Sequence, residues 1–158
     1  MAWSASKIFT QFLMGSLDRT TAFDIDTDVP KVALFDNDIT PDNTVSLANS
    51  AFGAGQWVSA GNEVFEAGQW ATGGVALSGH DVSTTSTTVT YDATVDTASG
   101  SAADLANVYG CLVYDDTITT PTADAGICYN YLGGANSVVN GTFTVVWSAS
   151  GILSFSLS

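Results

Sequence analysis

Basic residues are nearly missing from this sequence of 158 residues, which has three Lys and Arg against sixteen Asp and Glu. The three, Lys7, Arg19 and Lys31, all lie near the N-terminus, and the formal net charge is −13. Nucleic-acid binding depends on Lys and Arg that displace counterions from phosphates, so we expect no nucleic-acid partner. Anionic membrane surfaces are disfavoured for the same electrostatic reason.

Long apolar runs are also missing, although apolar residues make up 46% of the chain. No run reaches the roughly 20 apolar residues that a membrane-spanning helix needs, so we expect no membrane partner. The segment KIFTQFLMGSL begins like a signal peptide, but Thr10, Gln11 and Gly15 interrupt it and no small-residue cleavage site is evident. We therefore expect the mature chain to start at its own N-terminus and to be made in a cytoplasm.

Cysteine is scarce, with only Cys111 and Cys128. Both lie in strand-like segments, so a bridge between two strands is geometrically conceivable. Two buried thiols that act as small apolar side chains are favoured instead, because disulfides are rare in the cytoplasm. Structural zinc sites need four ligands, and nothing here has their spacing.

Motifs of enzymes and cofactor sites are absent as well. His80 is the sole histidine, and no G-x-S-x-G elbow accompanies it. The glycine-rich segments have neither Rossmann nor P-loop spacing, and no lysine follows them to hold a phosphate. Asp115 and Asp116 are neighbours on a predicted strand and point to opposite faces, which does not suit a catalytic pair. The sequence therefore predicts a protein that is not an enzyme and has no cofactor.

An acidic segment, DIDTD, places Asp24, Asp26 and Asp28 at alternate positions, and an extended chain would point all three carboxylates to one side. Hard cations such as calcium prefer several oxygens together. The EF-hand loop does not fit, because Val29, followed by Pro30, stands where that loop needs glycine, and Phe35 stands where it needs glutamate. A charged turn is the favoured interpretation and no metal site is predicted, while a looser calcium site from the three aspartates stays open.

The apolar residues that are present change their spacing along the chain. In residues 1–22, Ser4 or Ser6 can cap a helix whose apolar stripe recurs at the 3.6-residue period, with Ile8, Phe9, Phe12, Leu13 and Leu17. From 23 to 158 the period becomes two, with frequent turn signals. We predict a single compact domain of the mainly β class: an antiparallel β-sandwich, immunoglobulin-like or jelly-roll-like, over 23–158, preceded by one short N-terminal α-helix in 1–22.

Several segments carry this alternating pattern most clearly. KVALFD, STTSTTVTYDATV, LANVYGCLVYDD and AGICYNYL read as strands, and a Gly-rich excursion between the first two is expected to be clamped by its aromatics, Trp57 and Trp70. The last residues predict a terminal β-hairpin with a turn at 148–151. Its two arms would present, on one face each, the side chains of Phe143, Val145, Trp147, Leu153, Phe155 and Leu157.

The order of the motifs DIDTDVPKVALF, TPDN, GQWATGGVALSG, VTYDA, VYDDT and NGTFTVVWSASGIL resembles a group of small virion proteins of tailed bacteriophages. The resemblance runs from about Lys7 to Leu157, and the order of these short motifs carries it. One departure is Trp70, where the group more often has tyrosine. The resemblance implies a structural virion protein made in the bacterial host cytoplasm. The role it implies is a capsid decoration or head-fibre-like protein that binds the major capsid protein on the outer capsid surface.

Symmetric assembly on a capsid favours a homo-oligomer, with a trimer at a threefold position preferred. Trp3, Phe9 and Phe12 are the candidate capsid or subunit interface, although an apolar helical stripe more often packs on its own domain. The alternative function is a tail or fibre component, or an adhesin that recognises host glycans. In that case exposed Trp57 and Trp70 would stack on sugar rings.

Overall fold

Strands account for 44% of the chain and helices for 9% in the computed structural model, which describes residues 3–95 and 102–157. The prediction of a mainly β, antiparallel fold with a short N-terminal helix is confirmed. Within the described ranges, neither helix has the length and apolarity to cross a membrane. In chain order the elements are β1 (Lys7–Ile8), α1 (Thr10–Asp18), β2 (Pro30–Phe35), α2 (Leu47–Ser50), β3 (Glu63–Val64), β4 (Val75–Thr85), β5 (Thr88–Val95), β6 (Ala103–Asp115), β7 (Gly126–Gly141) and β8 (Leu153–Ser156).

The strands form one sheet in the order β1-β7-β6-β2-β4-β5-β8, and β3 pairs with β2 beside β4. Each pairing is antiparallel. The two edges of the sheet are therefore β1 and β8. A small cavity is lined by Lys7 and Ile8 from one edge and by Leu153 from the other. The edges thus approach each other, and the sheet is nearly closed on itself.

The central strand β2 is buried on both faces. Val32 to Phe35 are at most 1% exposed, and β2 pairs with β6 along its whole length, from Pro30 opposite Asp115 to Phe35 opposite Gly110. A strand covered on both faces reads as a continuous apolar run, which explains the sequence VALF. The strand that was predicted for KVALFD is confirmed.

An aromatic layer covers one face of this sheet. The Trp57 ring lies 5.1 Å from the Phe35 ring and 5.9 Å from the Trp3 and Tyr129 rings. The Trp3 indole N–H donates to the Asp36 carbonyl at 2.6 Å. These rings bury large apolar areas and satisfy the indole donor, so the layer ties residues near the N-terminus to the centre of the sheet.

The opposite face carries smaller side chains. Val32, Val113 and Cys128 occupy adjoining strand positions there, and they belong to the same buried cluster as Tyr91 and Leu153 of β5 and β8. The prediction of two buried thiols is confirmed, because Cys111 and Cys128 are both buried and unbridged.

The N-terminal helix is shorter than predicted. It begins at Thr10, and the preceding residue, Phe9, makes no side-chain cap. The expectation that Ser4 or Ser6 caps the helix is wrong, because this stretch pairs with β7: Lys7 lies opposite Tyr129, and the Ser6 hydroxyl accepts the Tyr131 N–H at 3.0 Å. The segment predicted as helical therefore supplies an edge strand as well as a helix.

The predicted terminal hairpin is wrong in its pairing. Residues 142–147 form no strand, and β8 pairs with β5 through Leu153 opposite Tyr91 and Phe155 opposite Val89. The Phe143 carbonyl instead accepts the Trp70 indole N–H at 3.0 Å. The predicted segment STTSTTVTYDATV is likewise divided between the hairpin strands β4 and β5.

We expect the Gly110→Ala substitution to lower the free energy of unfolding by about 2 kcal/mol or more, as overpacking of a core does. A Cβ at this position would lie 2.3 Å from the Trp3 ring, which has no room to move aside in the aromatic layer. Urea unfolding followed by tryptophan fluorescence measures the change.

Gly141→Ala is the matched control for this substitution. The nearest atom to a Cβ there is the rotatable Val138 Cγ2, at 2.7 Å, so the variant should be much closer to the wild type. Equal shifts of the two variants would contradict the proposed role of Gly110.

Candidate functional site

An apolar groove of about 480 Å³ lies between helix α1 and the sheet face that carries Val82 of β4 and Phe155 of β8. Seven of its eight lining side chains are apolar. The eighth, Ser16, donates its hydroxyl to the Phe12 carbonyl at 2.8 Å and so presents no free donor. The groove is lined by Phe12, Leu13, Ser16, Leu17, Phe23, Ile25, Val82 and Phe155.

The start of α1 fixes the helical wall of the groove. The Phe9 N–H donates to the Ile127 carbonyl at 3.1 Å, and the Thr10 N–H donates to the Asn43 carbonyl at 3.0 Å. Phe12 then turns inward, with its ring 4.9 Å from that of Phe23. The last turn has no such cover, and Leu17 is 86% exposed.

The sheet wall of the groove continues past its lining residues. Val89 lies opposite Phe155, so these two side chains share a face, and Leu157 follows two positions later on that face. Val89 and Leu157 are exposed. Contiguous exposed apolar surface of this kind marks interaction sites in soluble proteins.

Three exposed acidic residues are sequence neighbours of side chains that line the groove, and we call them its rim. Exposed Asp24 and Asp26 flank Ile25, and Asp18 follows Leu17 at the end of α1. The Thr20 backbone N–H and hydroxyl lower the pKa of Asp18, so this carboxylate is ionised at neutral pH. Of the three basic residues, Arg19 alone lies within two positions of a lining residue, Leu17, in the sequence.

The candidate interface of Trp3, Phe9 and Phe12 requires a correction. All three side chains are buried within their own chain, at 2%, 0% and 4% exposure. Trp3 and Phe9 belong to the aromatic layer. Of the predicted set only Phe12 borders the groove. The apolar stripe predicted a helix in a segment that does contain one. The residue of the stripe that is most exposed is Leu17, not Trp3, Phe9 or Phe12.

Trp57 and Trp70 are also buried, at 0% and 2% exposure. The expectation that their rings stack on sugars is therefore wrong in this structure, because neither ring faces solvent. The expected clamp by these aromatics fits better, since Trp57 joins the aromatic layer and Trp70 contacts Phe143. His80 lies within β4, away from the groove lining.

The DIDTD segment forms a turn instead of an extended chain. The Asp24 carbonyl accepts the backbone N–H groups of Thr27 and Asp28, and the Asp24 N–H donates to Asp28 Oδ2 at 2.9 Å. The three carboxylates therefore do not line up on one side as alternation would require. Across residues 3–95 and 102–157, no group of three or more His, Cys, Asp or Glu is placed to hold a metal ion.

Asp28 instead meets Asp115, a pairing that the sequence analysis missed. Asp115 is fully buried, and its Oδ1 accepts the Thr117 and Ile118 N–H groups. Its Oδ2 is buried without a donor, and the Asp28 carboxyl lies within hydrogen-bonding reach. Burial raises the pKa of Asp115 to about 7, and Asp28 adds to the rise. Asp115 is thus able to keep a proton up to about neutral pH.

The prediction that Asp115 and Asp116 point to opposite faces agrees with their surroundings. Asp115 is buried, whereas the half-exposed Asp116 carboxylate pairs with the Lys31 ammonium at 2.8 Å. The sequence does not indicate which of these two adjacent acids is buried. It also contains no local pattern that predicts a contact between Asp115 and Asp28.

Comparison with known proteins gives no relative for this chain. No protein-family model, curated protein or solved structure matches it.

The proton on Asp115 predicts a specific pH dependence of stability. Unfolded Asp115 has a pKa of about 3.9, and in the folded chain it is about 7. Between these values the folded state keeps a proton that the unfolded state releases, so stability falls as pH rises from about 4 to 7. Asp115→Asn removes this proton, which is linked to about 4 kcal/mol of stability, so the fall in Tm across that window should shrink by about 10 °C.

The control is Asp116→Asn, whose carboxylate is paired with Lys31 at the surface. This variant should keep the wild-type pH slope, because the buried proton remains. Thermal unfolding followed by circular dichroism at several pH values measures both variants. If the Tm of Asp115→Asn fell with pH as steeply as that of the wild type, Asp115 would not carry this proton.

Proposed function

We propose that this chain is a structural protein of a tailed-bacteriophage virion, without catalytic activity, that decorates the outer surface of the head by binding the major capsid protein. The observation that carries the proposal is the exposed apolar groove beside α1, with Leu17 standing almost free at its edge. A surface of this kind is costly to expose unless a partner covers it.

The charge and the order of the sequence motifs support the same role. A net charge of −13 keeps the chain from binding DNA or anionic debris during assembly. The resemblance of the motif order to small virion proteins supplies the phage context. Many identical copies on a lattice need one attachment face and a self-complementary contact, and we propose a trimer at threefold positions.

A binding assay tests the attachment face. Purified chain should co-sediment with expanded heads of the phage that encodes it, and Leu17→Gln should weaken this binding about tenfold, because the leucine loses its apolar burial. The fold should tolerate the change, since Leu17 is 86% exposed.

Val139→Gln is the matched control for the binding assay. Val139 is 83% exposed and lies outside the groove, so this variant should bind heads like the wild type. Wild-type chain that fails to co-sediment with heads would refute the proposed role.

Antibody labelling of whole particles tests the location. The proposal requires label on the head. Label confined to the tail would replace the decoration role with the tail or fibre role.

A further inference from the structure

We infer that the groove beside α1 binds an apolar peptide segment flanked by Lys or Arg, presented by another protein. The inference rests on the proposed function for the source of the segment, which is then the major capsid protein. The chemistry of the segment follows from the groove itself.

The lining of the groove favours apolar side chains over a small polar ligand. Small-molecule sites combine apolar walls with a few convergent polar groups that fix the ligand. Here Ser16 is the one polar lining side chain, and its hydroxyl is already bonded to the Phe12 carbonyl. Leucine or phenylalanine side chains of a partner can fill a groove with such walls, while the backbone that carries them stays at the mouth of the groove.

The sheet edge beside the groove favours a peptide as the source of those side chains. Phe155 lines the groove and belongs to the edge strand β8. The start of this strand, at Leu153, approaches β1 across the small cavity, so the part of the edge that lies beside the groove is its end, at Phe155 and Ser156. An edge strand offers backbone N–H and C=O groups to an added extended segment. The sequence of β8, LSFS, has no charged residue or proline to block such pairing. A lipid chain could use the walls but not this edge.

The rim charges select a basic partner. Asp18, Asp24 and Asp26 are exposed and directly adjoin groove-lining residues in the sequence. Arg19 is the one basic residue within two positions of a lining residue. Complementary charge steers association and rejects like-charged partners. A second copy of this chain is such a like-charged partner, because it carries a net charge of −13. Its Lys31 is also already paired with Asp116.

Two synthetic peptides test the inference directly. One is leucine-rich with lysines at both ends, and the other has glutamates in place of the lysines. Isothermal titration calorimetry should detect binding of the lysine-ended peptide only, and added salt should weaken it. Leu17→Gln should weaken binding about tenfold, whereas Val139→Gln should leave it unchanged.

A second pair of variants separates the rim from the general acidity of the chain. Asp26→Asn, at the rim, should weaken binding of the lysine-ended peptide about threefold. Asp38→Asn removes an equally exposed carboxylate away from the groove and should have no effect. Equal effects of the two variants would mean non-specific attraction and would overturn the inference.

The remaining outcomes are also decisive. Equal binding of the two peptides overturns the charge requirement. Self-association of the wild type that Leu17→Gln abolishes, measured by sedimentation velocity, shows that a second copy occupies the groove and overturns the inference. A chain that binds heads through Leu17 but ignores the lysine-ended peptide refutes this inference and leaves the proposed function intact. Specific peptide binding without head binding refutes the proposed function instead.

Discussion

The need to cover the face of the sheet that carries Phe35 and Tyr129 governs the rest of this structure. The chain covers it with Trp57 from a long connection and with Trp3 from its N-terminal end. Trp3 fits only because Gly110 leaves its ring room on β6. Burial of these rings supplies the driving force, and the indole hydrogen bond of Trp3 to Asp36 fixes the geometry.

The position of the groove follows from this cover. With Trp3 and Phe9 fixed in the aromatic layer, β1 pairs with β7, and α1 must leave the sheet at Thr10. The helix buries Phe12, whereas Leu17 in its last turn stays exposed. Trp3 and Phe9 cover one face of the sheet, and the helix that follows them leaves the apolar groove beside α1 open to solvent. Phe12 and the strands β4 and β8, which border the groove, are anchored in the core or in the sheet, so both sides of the groove are held in place.

Local pattern predicted element types well and partners poorly. The run VALF identified a strand buried on both faces, because such burial needs apolar residues at every position. Alternation at 143–147 correctly pointed Val145 inward, yet that segment has no strand partner and β8 pairs with β5. The groove and the contact of Asp28 with Asp115 join segments far apart in the chain. No local signal encodes such contacts, so neither could be derived from the sequence.

The burial of Cys111 and Cys128 determines how the folded chain responds to oxidants. Burial raises the pKa of Cys128 to about 12, and burial together with the neighbouring Cys128 raises the pKa of Cys111 as well. Oxidation and exchange proceed through the thiolate, which neither sulfur can form at ordinary pH inside this core. In aerated solution the folded chain should therefore keep both sulfurs in the thiol form.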